Sequence, residues 1–165
     1  MFGVKYFLVP VSIGLALALS ACAGRLSQGM LVPVAQSAEG TSRVQILAAT
    51  TRQRSTTDAG EMFSGERATE SSYAAVTVSI PPDNARKFGE IQWPESLPGD
   101  SSRNFVTVSA NYLDKPGLVS AVSLTAKQTG RSKVVIFVHG FNNRFDDAVY
   151  RFAQIVHDAK APGIP

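Results

Sequence analysis

The sequence predicts an α/β fold: a mixed sheet with an antiparallel edge first and parallel strands after it. Three observations carry that expectation. The run Val134-Val135-Ile136-Phe137-Val138 is apolar at every position, the pattern of a central strand buried on both faces. It stops at His139-Gly140 and gives way to a helical repeat, with Phe145, Ala148, Val149, Phe152 and Val156 at i, i+3, i+4, i+7 and i+11. Ahead of it lie three short strand patterns and a helix, so the whole order is β, β, β, α, β, α.

The elements follow in chain order. Lys5 gives a minimal positive start, and Tyr6 to Leu19 is an apolar stretch too short for a standard transmembrane helix. Leu19-Ser20-Ala21-Cys22 follows directly and resembles the lipobox of bacterial lipoproteins. That resemblance implies an export signal over residues 1–21, lipidation of Cys22 and a membrane anchor. Ala23 after the cysteine implies the outer membrane, facing the periplasm. Residues 22–42 are small, polar and without a period, the composition of a flexible tether. Residues 43–165 remain for the folded part.

Within that part, Val44 to Ala48 reads as a strand, and Gln53 to Ser72, rich in Ser, Thr, Gly and charge, as a loop. Tyr73 to Ile80 alternates Ala75, Thr77 and Ser79 against Val76, Val78 and Ile80, a half-buried strand. Pro81-Pro82 ends it. Asp83 to Ser102 is irregular, with Ile91 and Trp93 expected to pin it to the core. Phe105 to Ser109 is a third strand. Pro116 to Thr129 is a helix with Pro in its first turn and Gly130 as its stop. Asn143 is the expected N-cap of the last helix, Asp146 and Asp147 favour its positive end, and Ala161-Pro162-Gly163 closes it. The next strand of a parallel sheet is expected to begin at about Ile164.

Composition excludes several classes. A net charge of +3 comes from scattered Lys and Arg with no basic run, so nucleic acid is not an expected partner. The single cysteine cannot form an intramolecular disulfide. No cluster has metal-ligand spacing and no phosphate loop is present, so no metal and no cofactor are expected.

Three stretches resemble a bacterial family of α/β hydrolases of poorly assigned function, in the esterase/lipase superfamily. They are Ile46-Leu47-Ala48-Ala49-Thr50-Thr51-Arg52; Val76 to Pro82 with Gly89-Glu90-Ile91-Gln92-Trp93-Pro94; and Val135 to Asn142 running into Asp147-Ala148-Val149-Tyr150-Arg151. The likeness implies the N-terminal part of an α/β-hydrolase sheet, incomplete in these residues. It implies a serine in a Gly-x-Ser-x-Gly elbow, then an acid and a histidine, further along the chain. No Gly-x-Ser-x-Gly occurs here, so no catalytic residue is assigned.

What the likeness does assign is an oxyanion loop. Acyl transfer passes through a tetrahedral oxyanion that backbone N–H groups stabilise. The matching donors are the backbones of Phe141 and Asn142, with His139 and Gly140 supporting the loop. His139 is expected to orient that loop and not to act as the base, because the superfamily's catalytic histidine comes last in the chain. His157 is expected to be a partly exposed residue at a helix C-terminus. Ser64 has no base or second glycine in register. The implied substrate, for a full-length enzyme, is a small ester. The alternative is a periplasmic lipoprotein that serves as a non-catalytic binding or structural module.

Overall fold

The computed structural model describes residues 29–57 and 60–165; the expected signal and Cys22 lie outside the described residues. Strand β1 (Ser42–Arg54) and strand β2 (Phe63–Ile80) form an antiparallel hairpin, in register from Ser42↔Ile80 to Thr50↔Ser72. Beyond Thr50 the register shifts twice, at Arg52 and Arg54. Strand β3 (Val106–Leu113) pairs antiparallel with the other edge of β2, so the order is β1-β2-β3.

Alternation sets which face is buried. Ala74, Val76, Val78 and Ile80 of β2 and Val44 and Ile46 of β1 share one face and are all buried. Helix α2 (Phe145–Asp158) lays Phe145, Val149, Phe152, Ala153 and Val156 onto that face, as its periodicity predicts. Helix α1 (Lys115–Thr129) starts at Asp114, whose Oδ1 accepts from the Gly117 N–H at 2.7 Å, and ends at Gly130 with φ 68°. It touches all three strands yet buries none of its residues.

Four expectations are corrected. The Gln53–Ser72 loop is mostly strand: it lengthens the hairpin. Most of its side chains meet water, so no hydrophobic period marks it. Its turn end is fixed by Phe63, packed edge-on to Phe145 at 4.7 Å and Tyr112 at 5.4 Å.

The N-cap of α2 is Arg144, not Asn143. The Asp147 carboxylate reaches back to the Arg144 N–H at 3.2 Å, while the Asn143 side chain turns to the Gly140 carbonyl.

The expected tether is docked from Gly29 onward. Met30 and Leu31 are buried, the Leu31 N–H bonds the Gly60 carbonyl, and the Val34 N–H bonds that of Thr107. Met30 O lies 2.9 Å from Tyr150 Oη and 3.0 Å from Thr107 Oγ1.

Finally, Val134–Val138 is not a central strand. It makes one parallel bridge, Val134 to Ile164, and joins no ladder. Val135 and Phe137 pack inward, Phe137 stacking on Phe152 at 5.3 Å, but Ile136 and Val138 are 81% and 85% exposed. A run apolar on both faces needs a strand on each edge and a layer on each side. Here the nearest sheet edge, β1, does not reach it.

Candidate functional site

The loop between Val138 and α2 is organised around one carbonyl. Gly140 O accepts from His139 Nδ1 at 2.8 Å and from Asn143 Nδ2 at 3.3 Å. A carbonyl only accepts, so Nδ1 of His139 carries the proton. A trans peptide is planar, and its C=O and N–H point opposite ways. Clamping the Gly140 carbonyl therefore aims the Phe141 N–H in the other direction. Phe141 is fully exposed, and its N–H has no hydrogen-bond partner among the described residues. Asn142 follows with φ 59°, a left-handed conformation that asparagine tolerates better than most residues. The four expected positions, His139, Gly140, Phe141 and Asn142, thus form one turn with a free, directed donor at its tip.

The loop is also tied down from a distance. Arg52, where the β1–β2 register shifts, donates through one nitrogen to the Asn143 carbonyl at 2.5 Å and through another to the Ser64 carbonyl at 3.1 Å. Sequence reasoning placed Arg52 only at the end of a strand pattern. Its role depends on a contact 91 residues away that no local signal announces.

At the α2 N-terminus the two carboxylates divide their work. Asp147 caps Arg144, and Asp146, almost fully buried, pairs with the Arg144 guanidinium at 3.0 Å. The Ser64 hydroxyl donates to the Gln53 carbonyl at 3.3 Å and accepts from the Glu66 N–H at 3.2 Å.

The second cluster lies at the far end of α2. Arg86 and Asp158 pair at 2.5 Å, both side chains 5% exposed. Burial alone would raise the Asp158 carboxyl. The Arg86 guanidinium, the Gln154 amide and the Gly89 N–H outweigh it and hold the group at about 2. His157 is partly exposed, as expected, and turns Nδ1 toward Arg86 at 3.2 Å. With the Arg151 bond to the Gly89 carbonyl and Trp93 stacked on Tyr150 at 5.3 Å, this cluster clamps residues 86–93 onto α2. The Gly89-to-Pro94 signature is thereby a packing device, and Ile91 and Trp93 pin the irregular segment as expected. Tyr150, buried beneath it, has its hydroxyl pushed well above the ordinary tyrosine range by that burial.

Among the described residues no group of His, Cys, Asp or Glu could hold a metal ion. Residues 119–165 match a family model described as an alpha/beta hydrolase of unknown function (DUF900). That span runs from α1 through the clamped loop and α2 to Pro165, and it supports an α/β-hydrolase family. The three-stranded sheet lies outside it. No curated protein and no solved structure matches the chain.

Proposed function

We propose that this chain carries the oxyanion loop of a serine-esterase-like α/β hydrolase and is held at the cell envelope by a lipid on Cys22. The observation that carries the reading is the Gly140 carbonyl, clamped by His139 and Asn143 so that the Phe141 N–H is directed outward from the loop. A donor fixed before reaction costs no reorganisation when negative charge develops on the substrate oxygen, and is worth roughly 3–4 kcal/mol to the transition state. His139 acts here through Gly140 and is a positioning residue. The family match across this loop supports the hydrolase class.

The reaction is ester hydrolysis through an acyl-serine. It requires a nucleophile, an acid and a base that these residues do not provide, and the reading therefore takes the chain as the N-terminal portion of the enzyme. The reading frame downstream of Pro165 tests this: a strand followed by Gly-x-Ser-x-Gly supports it. A stop codon there, with a stable exported product, would instead favour a non-catalytic periplasmic lipoprotein, a reading to which the engaged Ser64 hydroxyl also lends weight. These 165 residues alone should not turn over p-nitrophenyl esters. Turnover that a serine-directed fluorophosphonate blocks would overturn the assignment of the nucleophile to a later elbow.

A further inference from the structure

We infer that the cavity between residues 30–34, residues 94–99 and the start of β3 is a binding site for a small neutral molecule, apolar over most of its surface and carrying one hydroxyl or N–H donor. The cavity measures about 390 Å³ and shares no lining residue with the clamped loop at 139–143. Close-packed interiors hold few voids larger than a water molecule. An apolar cavity of about 150 Å³ takes up benzene, so this one has room for two fused rings.

Around the cavity the chain is packed tightly. A Cβ on Gly99 would come 2.9 Å from Pro94 Cβ and 3.0 Å from Val106 Cγ1, and one on Gly29 would come 2.7 Å from Leu97 Cδ1. The Val34 N–H bonds the Thr107 carbonyl and fixes the outer wall to β3. Pro33, Pro94 and Pro98 stiffen the lining, because each ring locks its own φ. Walls held in this way do not close over the space as a loose surface loop would.

The lining also sets the chemistry of the occupant. No Asp, Glu, Lys, Arg or His lines the cavity, so a charged ligand would lose its hydration and gain no counter-ion. The polar part is a triangle of three oxygens, all from lining residues. Met30 O lies 2.9 Å from Tyr150 Oη and 3.0 Å from Thr107 Oγ1, and the two hydroxyls lie 3.0 Å apart. The carbonyl has no hydrogen and each hydroxyl has one. Burial keeps Tyr150 protonated, so both hydrogens are present. Both are spent inside the triangle, whichever hydroxyl donates to the other. Thr107 Oγ1 has two lone pairs and receives at most one hydrogen within the triangle, so it can still accept. The three prolines have no N–H, and that of Val34 is engaged. The site therefore accepts a hydrogen bond and has little to donate. It suits an alcohol, a phenol or an N–H heterocycle and rejects a carboxylate. None of this depends on the reaction proposed above.

The test titrates the 165-residue chain with three probes of one shape: 2-naphthol, 2-methylnaphthalene and 2-naphthoate. Binding is read from the amide NMR shifts of Val34, Gly99 and Thr107. The two neutral probes move these amides and 2-naphthoate does not. Thr107→Val keeps the shape of the side chain and removes its accepting oxygen. It weakens 2-naphthol about tenfold, because the probe's hydroxyl is left buried without a partner, and leaves 2-methylnaphthalene within about twofold. A 2-naphthol titration that leaves the three amides unmoved up to its solubility limit overturns the proposal. So does 2-naphthoate binding as tightly as 2-naphthol. So does a Thr107→Val variant that weakens both neutral probes equally or neither. Should that variant fail to fold, the ranking of the three probes on the parent chain decides alone.

Discussion

Arg52 holds Asn143: a guanidinium on β1 donates to the carbonyl that closes the clamped loop, and its second arm grips Ser64. A charged donor on a neutral carbonyl contributes roughly 1.5–3 kcal/mol. Arg52→Ala should lower Tm by roughly 3–12 °C and loosen residues 141–143, with backbone order parameters falling from about 0.85 to below about 0.6. Arg52→Lys should not restore them, because one ammonium cannot span two carbonyls as a planar fork does. Unchanged order parameters in the alanine variant would show that Asn143 is held by the loop itself.

The Arg86–Asp158 pair predicts an acid limb. The carboxyl sits at about 2 in the fold against 3.8 for the ordinary group. A depressed folded value contributes stability that is complete above the unfolded value and is lost as pH falls through the folded one. The loss should therefore run from about pH 4 down to about pH 2 and amount to on the order of 2 kcal/mol. Asp158→Asn should be less stable than the parent at pH 7, by about 3 kcal/mol, since buried Arg86 keeps only the exposed Asp83 as its anion. It should also flatten the acid limb. Urea melts from pH 7 to pH 2 measure both. An acid limb of the same depth in the variant would assign it to other carboxylates.

Leu31 lies in the span that composition reads as a tether, yet it is fully buried. Leu31→Ala should cost about 2–4 kcal/mol, as deletion of a packed core side chain does. Denaturant melts read this as a lower midpoint with an unchanged slope. A loss within about 0.5 kcal/mol, the size of an ordinary surface change, would return residues 29–34 to the tether.

What the sequence made legible was whatever repeats with a period. The alternation over Tyr73–Ile80, the stripe from Phe145 to Val156, and the Pro116 and Gly130 punctuation all mark elements that the fold contains. Most of the hairpin arm was hidden because it is polar on both faces, with Met62 and Phe63 buried only at its turn end. The docking of Met30 and Leu31 was hidden because two apolar residues in a polar stretch have no period. Val134–Val138 was misread for the opposite reason: its composition describes burial on both faces, and these residues expose one. At the site, the turn over His139 to Asn142 was legible because a glycine after an apolar run is a local signal. The bonds of Arg52 to Asn143 and of Arg86 to Asp158 join residues distant in the chain, and nothing local announces them.

The anchor at Cys22 is open to direct test. Among the described residues no helix is long and apolar enough to cross a membrane. Membrane retention under the lipoprotein reading then depends on the thiol that follows Leu19-Ser20-Ala21. One acyl chain gives only marginal, reversible binding, whereas the two chains of a diacylglycerol hold a protein stably. Cys22→Ser should therefore move the protein from the membrane to the soluble fraction and abolish labelling by a fatty-acid probe in the same step. Retention at the parent's level without label would mean that the apolar stretch Tyr6–Leu19 stays attached and anchors the chain. Release in both parent and variant would mean ordinary export with cleavage and no lipid. Only joint loss of label and membrane association fits a thioether-linked anchor, because only there do both depend on one sulfur atom.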